Sequence, residues 1–224
     1  MLSRNWGAML GVPYWERYYK GAYVGNNSDI QEFNYNSIGD IRLLGMYTGL
    51  SEDMSTGLEF GFKVPSGDWH YPHVDRDTQI GSGSTDVLMA AYHLGNLPLS
   101  FRGRPFQWYV QGLYDIPFLF EDHYKPGREL DLAVGTDYNF GEIGPLNEFA
   151  PIVSLLGSDR SRDRGINSDP HDTGYDRLQI APGIEVGFKT ITVYADIEVP
   201  IFQNMNGYQL TTPFATKLIV SYNF

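Results

Sequence analysis

Residues 214–224, FATKLIVSYNF, alternate in character with a period of two. Phe214, Thr216, Leu218, Val220, Tyr222 and Phe224 fall on one face, and Ala215, Lys217, Ile219, Ser221 and Asn223 on the other. A strand whose two faces meet different solvents shows this alternation. The first face is apolar and ends on two aromatics; the second is small or polar apart from Ile219. The same pattern recurs upstream. In 178–189 Leu178, Ile180, Pro182, Ile184, Val186 and Phe188 alternate with Gln179, Ala181, Gly183, Glu185, Gly187 and Lys189. In 191–201 Ile191, Val193, Ala195, Ile197, Val199 and Ile201 alternate with Thr192, Tyr194, Asp196 and Glu198. Residues 54–64 set Leu58, Phe60, Phe62 and Val64 against Gly57, Glu59, Gly61 and Lys63. Residues 129–140 set Leu130, Leu132, Val134, Tyr138 and Phe140 against Glu129, Asp131, Gly135, Asp137 and Asn139.

Weaker versions cover 6–14, 38–49, 84–95, 105–116 and 149–157, which brings the expected count to ten strands. Several approach the roughly 9–11 residues that a tilted strand needs to cross a bilayer. The connections between them alternate. Segments 16–37, 66–82, 117–128 and 158–176 are long, whereas 50–53 and 189–190 are tight and 96–104 and 141–148 are intermediate. Short turns at one end and longer loops at the other are the habit of outer-membrane barrels. The pattern predicts an all-β protein: one antiparallel transmembrane β-barrel spanning 1–224, with ten strands in this chain and twelve if an N-terminal hairpin is missing. The alternative is a soluble all-β domain. In lipid every backbone group must pair within the protein, so the final strand is expected to pair on both sides and close the barrel.

Composition narrows the picture. No stretch of 18 apolar residues marks a membrane helix, and no apolar leader of signal-peptide length follows the N-terminus, so an exported protein would be a mature or truncated form. With no cysteine among 224 residues, disulfides and thiolate metal sites are excluded. A net charge of −11 argues against nucleic acid as a partner. No cofactor is expected.

If the polar faces line a lumen, its charged residues are Asp40, Arg42, Glu59, Lys63, Glu129, Asp131, Asp137, Glu185, Lys189, Asp196, Glu198 and Lys217, with Asp86 and Asp115 beside them. Acids exceed bases, and a carboxylate-lined pore prefers cations. The alternative is a satisfied internal network in a barrel too narrow to conduct. Four of the five histidines fall in long loops. His70, His73, Asp75, Asp77 and His171 are candidate ligands for a divalent cation; a His–carboxylate pair at a barrel rim also suits hydrolysis, as in the omptin proteases. Asp172-Thr173-Gly174 lacks the apolar flanks of an aspartic-protease triplet, and the glycine-rich stretch at Gly81 lacks a phosphate-loop lysine. Neither is evidence of those activities. Arg160, Arg162 and Arg164 alternate with acids and suit lipopolysaccharide phosphates.

Several stretches go beyond generic barrel patterning: VPYWERYY, SIGDIRL, LEFGFKVPSGD and IGSGSTDVLMAAY, then DTGYDRLQIAPGIE and VPIFQNMNGYQL. Together they resemble the outer-membrane transporter family named for the phenol-degradation meta pathway. The resemblance implies a bacterial, Gram-negative outer-membrane location, a porin-like transport role for a small-molecule solute, and contact with outer-membrane lipid and lipopolysaccharide. The terminal Tyr222 and Phe224 resemble the signal that such proteins present to the barrel-assembly machinery. The expected function is a channel gated by loops 66–82 and 158–176. The second reading is a plugged barrel whose loops bind a ligand or divalent metal, and an omptin-like rim hydrolase is the third.

Overall fold

A computed structural model describes residues 5–20, 32–72 and 75–222. Its strands are β1 (Trp6–Gly11), β2 (Tyr14–Lys20), β3 (Glu32–Ile38), β4 (Ile41–Tyr47), β5 (Thr56–Val64) and β6 (Ser84–Phe101). They continue with β7 (Arg104–Phe120), β8 (Glu129–Asp137), β9 (Glu148–Arg160), β10 (Tyr175–Phe188), β11 (Ile191–Met205) and β12 (Ala215–Tyr222). Ten of them form one antiparallel sheet in the order β1-β4-β5-β6-β7-β8-β9-β10-β11-β12, curled into a half-barrel, and β2 and β3 form a separate hairpin.

The register converts the two-residue period into two faces. Leu43, Phe62, Val87 and Ile116 stand side by side on the convex face. The neighbouring row, Leu44, Gly61, Leu88, Asp115, Glu129, Arg160 and Tyr175, stands on the concave face. Along β5 Leu58, Phe60, Phe62 and Val64 are all exposed, between 41 and 51%. A folded chain that leaves so many large apolar side chains uncovered on one surface is built for an apolar medium or partner. Glycine on the concave face lets the strands curve closely. A Cβ at Gly61 would lie 1.9 Å from the Leu43 carbonyl oxygen, so no other residue fits there. Gly45 pairs with Phe60 on the convex face, because the inward positions of β4 are Arg42, Leu44 and Met46.

The curl brings distant strands face to face. Arg42 on β4 lies within electrostatic reach of Asp131 on β8, four places away in the sheet. Lys217 on β12 likewise reaches Tyr109 on β7, five places away. Leu44, Leu88 and Ala181 point inward yet are 4, 0 and 0% exposed, so side chains fill the interior at their level. Closure of the ring differs from the expectation: among the described residues β12 pairs with β11 alone and β1 with β4 alone. The two edge strands run in opposite senses, as an antiparallel seam requires.

Short connections gather at one end (the turn end) and long ones at the other (the loop end), as the spacing predicts. The linker expected over 96–104 is instead strand. Arg102 at φ 50° and Gly103 at φ 77° make a two-residue turn, and β6 and β7 run up to it on either side. Left-handed conformation at both turn positions matches the twist of the flanking strands. Pro98, which argues against a regular strand, sits inside the register irregularity between Asn96 and Ser100. The loop expected over 16–37 contains the β2–β3 hairpin.

Candidate functional site

The concave wall carries most of the charge, and the structure sorts it into three zones. At the loop end Lys63 forms ion pairs with Asp86 and, at 3.1 Å, with Asp115. Asp86 is fully buried and accepts a hydrogen bond from Ser84 Oγ at 2.5 Å. Ser84 and Ser82 share a hydroxyl contact of 3.0 Å, and the Ser82 backbone N–H donates to Asp40 Oδ2 at 2.7 Å. The other Asp40 oxygen accepts from the Gly67 N–H at 3.0 Å. A continuous polar clasp thus runs from Asp40 through two serines to Asp86, Lys63 and Asp115.

The clasp shows why three glycine-rich stretches carry the residues they do. Asp40 comes from SIGD, Ser66 and Gly67 from VPSG, and Ser82, Ser84 and Asp86 from GSGSTD. A Cβ at Gly81 would fall 2.4 Å from the Gly67 carbonyl oxygen, so the two legs of loop 65–83 can meet only as glycines. Asp40 was expected on a lumen-facing strand. It lies instead between β3 and β4, where a carboxylate can bind both legs of the loop.

Above the clasp the loops knot together. The Arg76 guanidinium lies 4.9 Å from the Trp69 ring and 4.3 Å from the Tyr124 ring, and donates to the Ser82 carbonyl at 2.6 Å. Tyr124 donates to the buried Asp163, which also accepts from the Gly127 N–H at 2.7 Å and from Arg160 at 2.8 Å. Burial, with Asp163 beside it, pushes the Tyr124 hydroxyl pKa up. Asp77, in the single 3-10 turn Arg76–Thr78, is pushed up to about 6 by burial first and by Asp75 second. The β2–β3 hairpin rests on the same loop, with Arg17 donating to the Thr78 carbonyl and Tyr35 stacked on Tyr71 at 3.9 Å.

The middle zone centres on β11 and β12, where Lys217 pairs with Glu198 and, at 3.7 Å, with Asp196. Tyr194 donates to Asp196 at 2.6 Å, and Tyr109 and Ser154 share a contact of 2.6 Å. Glu129 accepts from Tyr175 at 2.6 Å and Asp131 from Ser158 at 2.6 Å. Arg42 faces Asp131 without an ion pair to any described residue.

The turn end differs. Glu59, Asp137 and Glu185 project inward with no ion pair among the described residues. Glu148 joins them, since the register sets it opposite Gly187, two residues from Glu185. Glu148 had been read as part of a linker, although the inward set of β9 extends to it. Tyr175 and Arg177 were also missed, and the two-residue period continued from Gln179 would have found both. Arg160, expected in a loop facing lipopolysaccharide phosphates, instead ends β9 and bonds the buried Asp163. Lys189, expected in the lumen, is an exposed turn residue at φ 55° beside the Phe188 ring. The tight turn carries it off the concave wall.

The histidine candidates stay apart. His70 Nε2 lies 3.3 Å from Asp122 Oδ2 in the next loop, and both side chains are more than half exposed. The N–H of His171 binds the side chain of Asp169. His73 and Phe224 lie outside the described residues, and of Tyr222 the backbone pairs with Ile191. Among the described residues no three His, Asp or Glu side chains are placed to hold a metal. No known protein-family model matches the chain, and no curated protein matches it in sequence.

Proposed function

We propose that the protein is an outer-membrane β-barrel that passes small solutes through a polar, acid-biased lumen. The observation that carries this reading is the sorting of the sheet: a convex face of exposed Leu, Phe, Val and Ile, and a concave face that holds most of the charged side chains. Water, or a solute with its water, suits the second face, and hydrocarbon suits the first. The convex face would meet lipid along β5 to β11, and the long loops would meet the cell exterior with its lipopolysaccharide. Resemblance to the meta-pathway transporter family supports the same role, and three of the stretches that carry it, SIGDIRL, LEFGFKVPSGD and IGSGSTDVLMAAY, build the clasp.

In this reading the turn-end mouth sets charge selectivity, because Glu59, Asp137, Glu148 and Glu185 have no ion pair among the described residues. The charges at the loop end are spent on one another and hold loop 65–83 in place. That loop is the gate, and Asp40 is its latch. A second reading, a filled barrel with binding loops, draws on the buried inward Leu88 and Ala181. Reconstitution in planar bilayers under a KCl gradient separates the two. Discrete cation-selective steps support the channel; a silent membrane, with folding verified by a heat-modifiable gel shift, supports the filled barrel.

A further inference from the structure

On the convex face one row of side chains is interrupted. Leu132, Gly157, Leu178 and Phe202 stand in line across β8 to β11, and Gly157 leaves a gap in the middle. Leu130, Leu132, Leu178 and Phe202 line the notch, a cavity of about 240 Å³. The row immediately toward the loop end is Leu130, Asp159, Asp176 and Asn204. Asp159 and Asp176 also border the notch. They are directly opposite each other, close enough for their carboxyl groups to interact.

Like charges directly opposed across two strands are destabilising. Neither carboxylate has an ion pair among the described residues. Among the described residues the polar side chain bonded to the pair is Asn204, whose Nδ2 donates to Asp176 Oδ2 at 3.2 Å. An apolar slot capped by two facing carboxylates complements an amphiphile with a cationic head. The slot is smaller than the roughly 300–1,000 Å³ of ordinary ligand pockets, so it suits one chain rather than a bulky ligand. An ammonium with several N–H donors can bond both carboxylates at once; a quaternary ammonium has none, and an anionic head is repelled.

We propose that this notch is a lipid site: an acyl chain fills the gap over Gly157, and a primary ammonium in its headgroup bridges Asp159 and Asp176. The inference rests on the membrane reading above. It makes the outer wall of β9 and β10 a recognition surface in addition to a lipid-facing one.

Gly157 offers a clean test. A Cβ there would meet only Leu178 Cδ1, at 3.9 Å, so Gly157→Phe fills the notch without forcing the backbone. The wild type, this variant and the Asp159→Asn/Asp176→Asn double variant are folded into vesicles of phosphatidylethanolamine, phosphatidylcholine and phosphatidylglycerol in equal parts. Lipid retained after release is read by native mass spectrometry. The expected result is severalfold enrichment of phosphatidylethanolamine on the wild type. It falls to the vesicle ratio in the double variant, and Gly157→Phe loses the bound lipid. Equal retention of the three lipids, or enrichment unchanged in both variants, overturns the proposal and leaves the barrel standing. Enrichment of phosphatidylglycerol that requires Mg²⁺ also overturns it, in favour of a cation bridge. Failure of the wild type to fold into vesicles contradicts the membrane reading and the lipid site together.

Discussion

Single residues decide how closely this sheet can curve and how loop 65–83 responds to pH. Gly61 packs against the backbone of Leu43, where a methyl group would overlap the carbonyl oxygen. Gly61→Ala is therefore expected to weaken the β4–β5 pairing, and overpacking of this kind typically costs about 1–3 kcal/mol or more. Urea titration of the heat-modifiable band measures the loss. Asp77 reports on loop 65–83. Its pKa is raised to about 6 by burial and by Asp75, with Asp163 acting in the same sense and Arg160 against it. The folded state thus holds a proton that the unfolded chain releases near the ordinary carboxyl value of 3.8. The corresponding stability is present below pH 3.8 and is lost as pH rises through 6. Protease cleavage within loop 65–83 should accelerate across that window in the wild type. Asp77→Asn should flatten the profile.

At the scale of elements, the clasp couples a loop to the wall beneath it. Lys63 is the cation between two buried carboxylates, Asp86 and Asp115. Lys63→Met would leave both uncompensated, and breaking a buried pair in this way costs about 3–5 kcal/mol. A drop of the thermal midpoint in vesicles would show it. Asp40→Ala should release loop 65–83 while the strands persist, giving faster proteolysis within the loop and longer open times in bilayers. The strands were legible because each alternates two kinds of side chain, and Leu58 to Val64 could be assigned to faces from the residue types alone. The hairpin at Arg102–Gly103 was obscured by Pro98 and Pro105, which read as loop but sit at an irregularity and a strand start. The clasp was hidden for a different reason. Asp40, Gly67 and Ser82 lie in three separate glycine-rich stretches, and only the fold brings them together.

For the whole molecule, the account makes the interior asymmetric: paired and latched at the loop end, open and acidic at the turn end. Lys217 neutralises Asp196 and Glu198, whereas Glu59, Asp137 and Glu185 have no ion pair among the described residues. Replacement of Glu59, Asp137 and Glu185 by Gln or Asn should therefore lower cation preference far more than the same change at Asp196 and Glu198. Reversal potentials in a KCl gradient measure both. The central claim is that one face of this sheet meets lipid and the other meets water. Because the chain contains no cysteine, the most direct test is a cysteine scan of β5 from Leu58 to Val64, leaving out Gly61, in vesicles. Each variant is labelled with a membrane-impermeant thiol reagent and with a lipid-soluble one. The account predicts strict alternation, with Leu58, Phe60, Phe62 and Val64 reacting from the lipid and Glu59 and Lys63 from water. Aqueous labelling at all these positions, or at Leu58, Phe60 and Phe62, would contradict it.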